Sequence, residues 1–290
     1  MRLSPWMAIA AATVLVNAAC TIDQTADENR GGTREAYAQT PPAEPNLVTV
    51  TASDFQFAAP ATIPAGLTTV RLVNQGREMH HAQLVRLDDG HTVEELAQVG
   101  EHEGLPAWAH FVGGPNVPAP QGFTEATMDL APGTYALVCF IPSGDGVPHM
   151  MKGMVKPLTV VPARQPSGAR APEADVRLTL RDYAYEITPE ITAGRHVIHV
   201  ENAAAQPHEV VLMRLAPGKT PQDLLAWLQT QDGAPPAMPI GGTSFLSSGE
   251  SNVLTVDFEA GEYALLCFVP DAGDGKPHVA HGMVRQLTVR

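Results

Sequence analysis

The chain repeats itself at an offset of 128 residues, and that repeat limits what it can fold into more than any other feature. Val48 pairs with Val176, Asp54 with Asp182, Phe55 with Tyr183 and Phe57 with Tyr185. The match continues through Ala65-Gly66 and Ala193-Gly194, Asn74 and Asn202, Arg86-Leu87 and Arg214-Leu215, then Gly113-Gly114 and Gly241-Gly242. Gly133-x-Tyr135-Ala-Leu likewise lies over Gly261-x-Tyr263-Ala-Leu. No gap is needed from Val48 to Pro142. One residue is then inserted in the second copy, after which Pro148-His149 aligns with Pro277-His278. Such self-similarity means one folding unit written twice. A polar stretch with Pro and Gly, ARQPSGARAPEA, separates the copies and reads as a linker. The predicted organisation is a domain over 47–162, a linker over 163–174 and a second domain over 175–290.

Each copy reads as mostly β. VTVTASDFQF, TTVRLV, TEATMDL and MVKPLTVV alternate apolar and polar residues at the period of a half-buried strand. One segment per copy has helix signals. Thr92 stands as N-cap three residues before Glu95, and Thr220 is followed by Pro221 at the first helical position. Pro (26) and Gly (25) are abundant enough to turn many short strands. The expected class is all-β: two tandem Greek-key β-sandwich domains, each with one short inserted helix.

The N-terminal segment stands apart. Arg2 precedes an apolar run from Trp6 to Ala19, too short to span a bilayer. Cys20 follows Val16-Asn17-Ala18-Ala19, close to a bacterial lipoprotein signal in which the Cys is lipidated, although Asn17 stands where Leu is usual. Ordinary cleavage after Ala18 is the alternative. Either way the expected location is outside the cytoplasm, in the periplasm or cell envelope. The favoured form is held at the membrane by a lipid on Cys20, with residues 21–46 as a disordered tether. The net charge of −13 argues against a nucleic-acid partner, which requires a Lys/Arg surplus.

Beyond Cys20 two cysteines remain, Cys139 and Cys267, at equivalent positions of the copies. In an exported protein the default for such a pair is a disulfide. Their surroundings favour another reading. Each ends a predicted strand and opens a Cys-x-x-Pro turn, and a glycine-containing loop then leads to His149 or His278. Met154 and Met283 each follow a glycine, five residues after that His. Upstream, His80 and His208 come six residues after Asn74 and Asn202. A thiolate, two imidazoles and a thioether make a ligand set suited to copper, and two His with one Cys and a weak axial Met form the electron-transfer version. The candidate ligands are His80, Cys139, His149 and Met154, then His208, Cys267, His278 and Met283.

On these residues both copies resemble cupredoxins, the blue-copper family. The Gly-x-Tyr run before the Cys and the Asn six residues before the His resemble plastocyanin. The Cys-x-x-Pro opening resembles azurin, and the long loop resembles the type 1 copper loop of copper nitrite reductases. The resemblance implies one copper per domain, two per chain, and electron exchange with an unidentified redox partner protein. Nine residues separate Cys139 from His149 and ten separate Cys267 from His278. Loops of that length carry an ordering cost that bears on the second His of each set. Nitrite reductases and multicopper oxidases also place a His beside the Cys. Here the neighbours are Val138 and Phe140, Leu266 and Phe268, so an enzyme is not expected. A copper-handling protein that binds and delivers Cu(I) and a metal-free interaction module are the alternatives.

The remaining histidines are set aside. His81 follows His80 and is expected on the opposite, solvent face, and His281 is a weaker substitute for His278. His196 and His199 read as surface residues of a strand, and His91, His102 and His110 have no counterpart in the second copy. Met79, Met150 and Met151 read as packing or as a Cu(I) entry path. Asp145 and Asp274 read as turn residues.

Overall fold

A computed structural model describes residues 43–99, 104–119, 121–165 and 168–290. The leader, Cys20, the tether up to residue 42 and His102 lie outside the described residues.

The first strand, β1 (Asn46–Ser53), buries alternate residues as its pattern requires. It starts at Asn46, the last residue assigned to the tether. The expected strand continuing through Phe57 is instead broken at Asp54-Phe55. Phe55 takes φ +66°, and β2 (Gln56–Ala58) folds back so that Thr51 faces Ala58. Alternation survives a tight turn, so periodicity alone could not show the break. The first copy continues with β3 (Thr62–Pro64), β4 (Gly66–Asn74), β5 (Gln83–Leu87), α1 (Val93–Ala97), β6 (Ala109–Gly113), β7 (Phe123–Leu130), β8 (Gly133–Val138) and β9 (Val155–Val161). The second comprises β10 (Val176–Arg181), β11 (Ala184–Thr188), β12 (Gly194–Asn202), β13 (His208–Leu215), α2 (Pro221–Thr230), β14 (Ala237–Leu246), β15 (Ser251–Phe258), β16 (Gly261–Leu266) and β17 (Val284–Val289). Tyr183 repeats the break, at φ +63°.

In the first copy β2-β1-β4-β7 face β6-β5-β8-β9-β3, and in the second β11-β10-β12-β15 face β14-β13-β16-β17. The inward side chains form a core that includes Leu72, Leu84, Leu137, Leu180, Leu212 and Leu265. This is the expected all-β sandwich. Both helices carry capping boxes, the predicted one of Thr92 with Glu95 and a second of Thr220 with Asp223 beside the predicted Pro221 at the first helical position. Leu96 and Leu224 pin them to the sandwich.

The copies share their sheets. β7 pairs antiparallel with β15, and β6 with β14. Pro115 lies opposite Thr243, a residue 128 positions on and therefore its own counterpart. A strand that meets its own copy antiparallel is the signature of a two-fold axis. The chain therefore packs like a symmetric dimer joined covalently. The repeated glycine pairs sit at this junction. Gly114 and Gly242 have φ +136° and +120°, and an added Cβ would lie 2.0 Å from the Ala82 carbonyl oxygen or 1.8 Å from that of Val210. Asn252 also stitches the junction, donating to the Val112 carbonyl (3.1 Å) and accepting from the Gly114 N–H (3.1 Å).

Candidate metal centre

Strand ends bring three donors of each copy to one point. His80 precedes β5 and His208 opens β13, while Cys139 and Cys267 follow β8 and β16. His149 and His278 each begin a 3-10 turn, His149–Lys152 and His278–His281. Each turn closes on a left-handed glycine, Gly153 at φ +99° or Gly282 at φ +93°, which explains the glycine before each Met. The donor atoms of His80, Cys139 and His149 all lie within 4.8 Å of one another, as do those of His208, Cys267 and His278. All six residues, and Met154 and Met283 with them, are completely buried. Both cysteines are free thiols, so no disulfide joins the copies.

The long loops are held rather than loose. His149 N–H donates to the Ile141 carbonyl and Met150 N–H to that of Cys139, both at 2.9 Å. Pro142 bridges Pro148 across the loop base. In the second copy, His278 to Val269, Val279 to Cys267 and Pro270 to Pro277 repeat these contacts. The ordering cost is met by backbone hydrogen bonds that are present in both copies.

The imidazoles are oriented from behind. His80 Nε2 lies 3.4 Å from Asp54 Oδ1, His149 Nε2 2.9 Å from Glu78 Oε2, and His208 Nε2 3.0 Å from Asp182 Oδ1. A ring nitrogen facing a carboxylate carries the proton, so the partners imply Nε2–H tautomers with a lone pair on Nδ1. In the first copy the two Nδ1 atoms are 3.1 Å apart, and His149 Nδ1 is 3.4 Å from Cys139 Sγ. In the second, His208 and His278 Nδ1 lie 3.8 and 3.4 Å from Cys267 Sγ. Lone pairs converging on one point repel unless a proton or a cation lies among them, and the single thiol proton can serve only one. The residues fit a cation, and their softness fits copper.

Burial tunes the groups the same way in both copies. It pushes the Cys139 thiol up to about 12 and raises that of Cys267 as well. It lowers His80 and His208, against the pull of Asp54 and Asp182. His278 falls to about 4 through burial and the neighbouring His208. The neutral imidazole is the form that ligates a metal, whereas the thiol must lose its proton to bind.

The copies differ behind the second His. Glu78 is replaced by Gln206, and Ser143 by Asp271, so the carboxylate moves from the loop before β5 to the loop after the Cys. His278 Nε2 is 3.7 Å from Asp271 Oδ2 and has no hydrogen-bond partner among the described residues. These carboxylates escaped the sequence reading. Asp54 and Asp182 were visible as a pair kept by the repeat, but Glu78 and Asp271 were hidden because their positions do not correspond.

Other expectations were corrected. His81 is not on a solvent face: it is buried, and its Nε2 accepts the Phe140 N–H at 2.9 Å. Its counterpart Glu209 accepts the Phe268 N–H at 2.9 Å. The residue after His80 and after His208 thus braces the residue after each Cys. His196 and His199 are half-buried rather than on the surface. His281 does not replace His278; it pairs with Asp274 at 3.1 Å in a surface group that includes Asp271. Both Asp271 oxygens in that group are occupied by Tyr183, Gln206 and the backbone N–H groups of Gly273 and Asp274.

No family model and no curated protein matches the chain. Among solved structures it is similar to dithionite-reduced auracyanin from Roseiflexus castenholzii, at 21% identity over 41% of this chain and 99% of that one, TM-score 0.30. It is similar to rusticyanin, at 22% identity over 40% and 76%, TM-score 0.26. A copper nitrite reductase from Nitrosomonas europaea is similar at 13% identity over 85% and 94%, TM-score 0.26. Fold and donor set together describe a cupredoxin-like protein of two sandwich domains.

Proposed function

We propose that the chain is an exported copper protein that transfers electrons. His80, Cys139, His149 and Met154 would hold one copper, and His208, Cys267, His278 and Met283 a second. One observation carries the reading: in both copies two imidazole nitrogens and a thiol, all fully buried, converge on one point. Copper supplies one-electron cycling between Cu(II) and Cu(I). The chain supplies a braced pocket in which carboxylates fix His80, His149 and His208 and backbone hydrogen bonds hold both loops, so little need move when the charge changes. Full burial weighs against a delivery role, because release would require the anchored loop to open. No His flanks either Cys to couple a second copper, so we assign no catalytic step. The membrane attachment through Cys20 and the redox partner belong to the same proposal.

The test removes one thiol at a time. Cys139→Ser and Cys267→Ser are each expected to halve the copper retained and the intensity of the visible thiolate-to-Cu(II) band, and the double variant to abolish the band. Copper retained unchanged in the double variant contradicts the assignment.

A further inference from the structure

A second feature lies between the copies and outside both donor sets. A cavity of about 550 Å³ is lined from both sides, by His81 and Phe140 of the first copy and by Glu209, Leu224, Leu228 and Phe245 of the second. Among the described residues His81 and Glu209 are the only ionisable ones in its wall. Both Glu209 oxygens are already engaged, by the Phe268 N–H and by Asn116 Nδ2 at 2.9 Å. No Lys or Arg lines the described wall, so an anion would be buried there unpaired, which is strongly unfavourable, and the mostly apolar wall suits a neutral guest.

His81 supplies the one directed contact. Its Nε2 accepts from Phe140, so the ring proton sits on Nδ1. No hydrogen bond from that N–H is seen among the described residues, and the ring lines the cavity. A donor on a cavity wall can take an acceptor from a guest. Phe140 and Phe245, stacked within 5° of parallel at 5.5 Å, stand beside it, and the His81 ring meets both edge-on. Such walls favour a flat aromatic body.

We propose that this cavity binds a neutral, flat aromatic molecule bearing a carbonyl or hydroxyl oxygen, of the quinone and phenol class, with that oxygen accepting from His81 Nδ1. Binding does not depend on metal. Phe140 and Phe268, both in the wall, directly follow Cys139 and Cys267, so the guest would lie one residue from each thiol.

The probe is duroquinone, titrated by calorimetry into the full chain without added copper, beside durene, the same ring and methyl groups without the oxygens. Saturable binding of one duroquinone per chain is expected, with durene about three- to tenfold weaker for lack of the hydrogen bond. Leu228→Trp, which fills the cavity from α2, should weaken both at least tenfold. His81→Gln retains an acceptor for Phe140 and a donor for the guest and should keep the preference for duroquinone, while His81→Phe should lose it. Absence of saturable binding overturns the proposal, as does binding indifferent to Leu228→Trp. Equal affinity for durene overturns the assigned hydrogen bond. Copper content, measured on the same samples, reports separately on the metal reading.

Discussion

At the residue scale the two centres are built alike and braced differently. His149 has a carboxylate at 2.9 Å, while His278 has only a distant one at 3.7 Å. A carboxylate behind a ligating His orients the ring and raises its basicity, and its loss typically costs 10- to 100-fold in metal affinity. Glu78→Gln is therefore expected to weaken copper at the first site about tenfold or more and leave the second unchanged. Competition titration with a chelator on Cys267→Ser and Cys139→Ser backgrounds reads each site alone. An equal loss at both sites would contradict the local role of Glu78. The candidate donors were legible in the sequence because Cys, His and Met recur in both copies. The carboxylates were not, because Asp54 and Glu78 reach the site only through a turn at Phe55 and a loop before β5. His81 was misplaced for a related reason: the strict alternation of a strand does not hold in the irregular segment just ahead of β5.

At the element scale the capping box at Thr92 and the proline that opens α2 were readable, since they are local rules written in a few residues. The glycine pairs were visible as repeated residues, but their purpose was not. Only the fold shows that Gly242 lies against a carbonyl of β13 within its own copy. Gly242→Ala must clear a 1.8 Å approach to the Val210 oxygen at a left-handed φ, and should destabilise the chain by about 3 kcal/mol or more. Gly249→Ala is the control. It has φ +80° with nothing within 4 Å of the added Cβ, and should cost about 1 kcal/mol. Urea unfolding followed by circular dichroism compares the two, and equal losses would remove the close approach to Val210 from the explanation.

At the scale of the whole molecule the repeat announced two sandwiches but not how they meet. The axis through Pro115 and Thr243 follows from pairing between residues more than a hundred positions apart, which no local pattern encodes. Since both sheets run through the junction, the described domains should unfold together. Melting of the metal-free chain is expected to give one transition, with far-ultraviolet and tryptophan signals superimposed. Two resolved transitions would mean that the shared sheets do not couple the copies.

The most direct test of the account is a copper titration of the purified chain, followed by visible absorption and by metal count. Two coppers per chain are expected, with an intense thiolate-to-Cu(II) band that grows until both sites are filled. A chain that retains no copper, or that binds it without the band, would contradict the claim that the two buried sets of His, Cys, His and Met are electron-transfer centres.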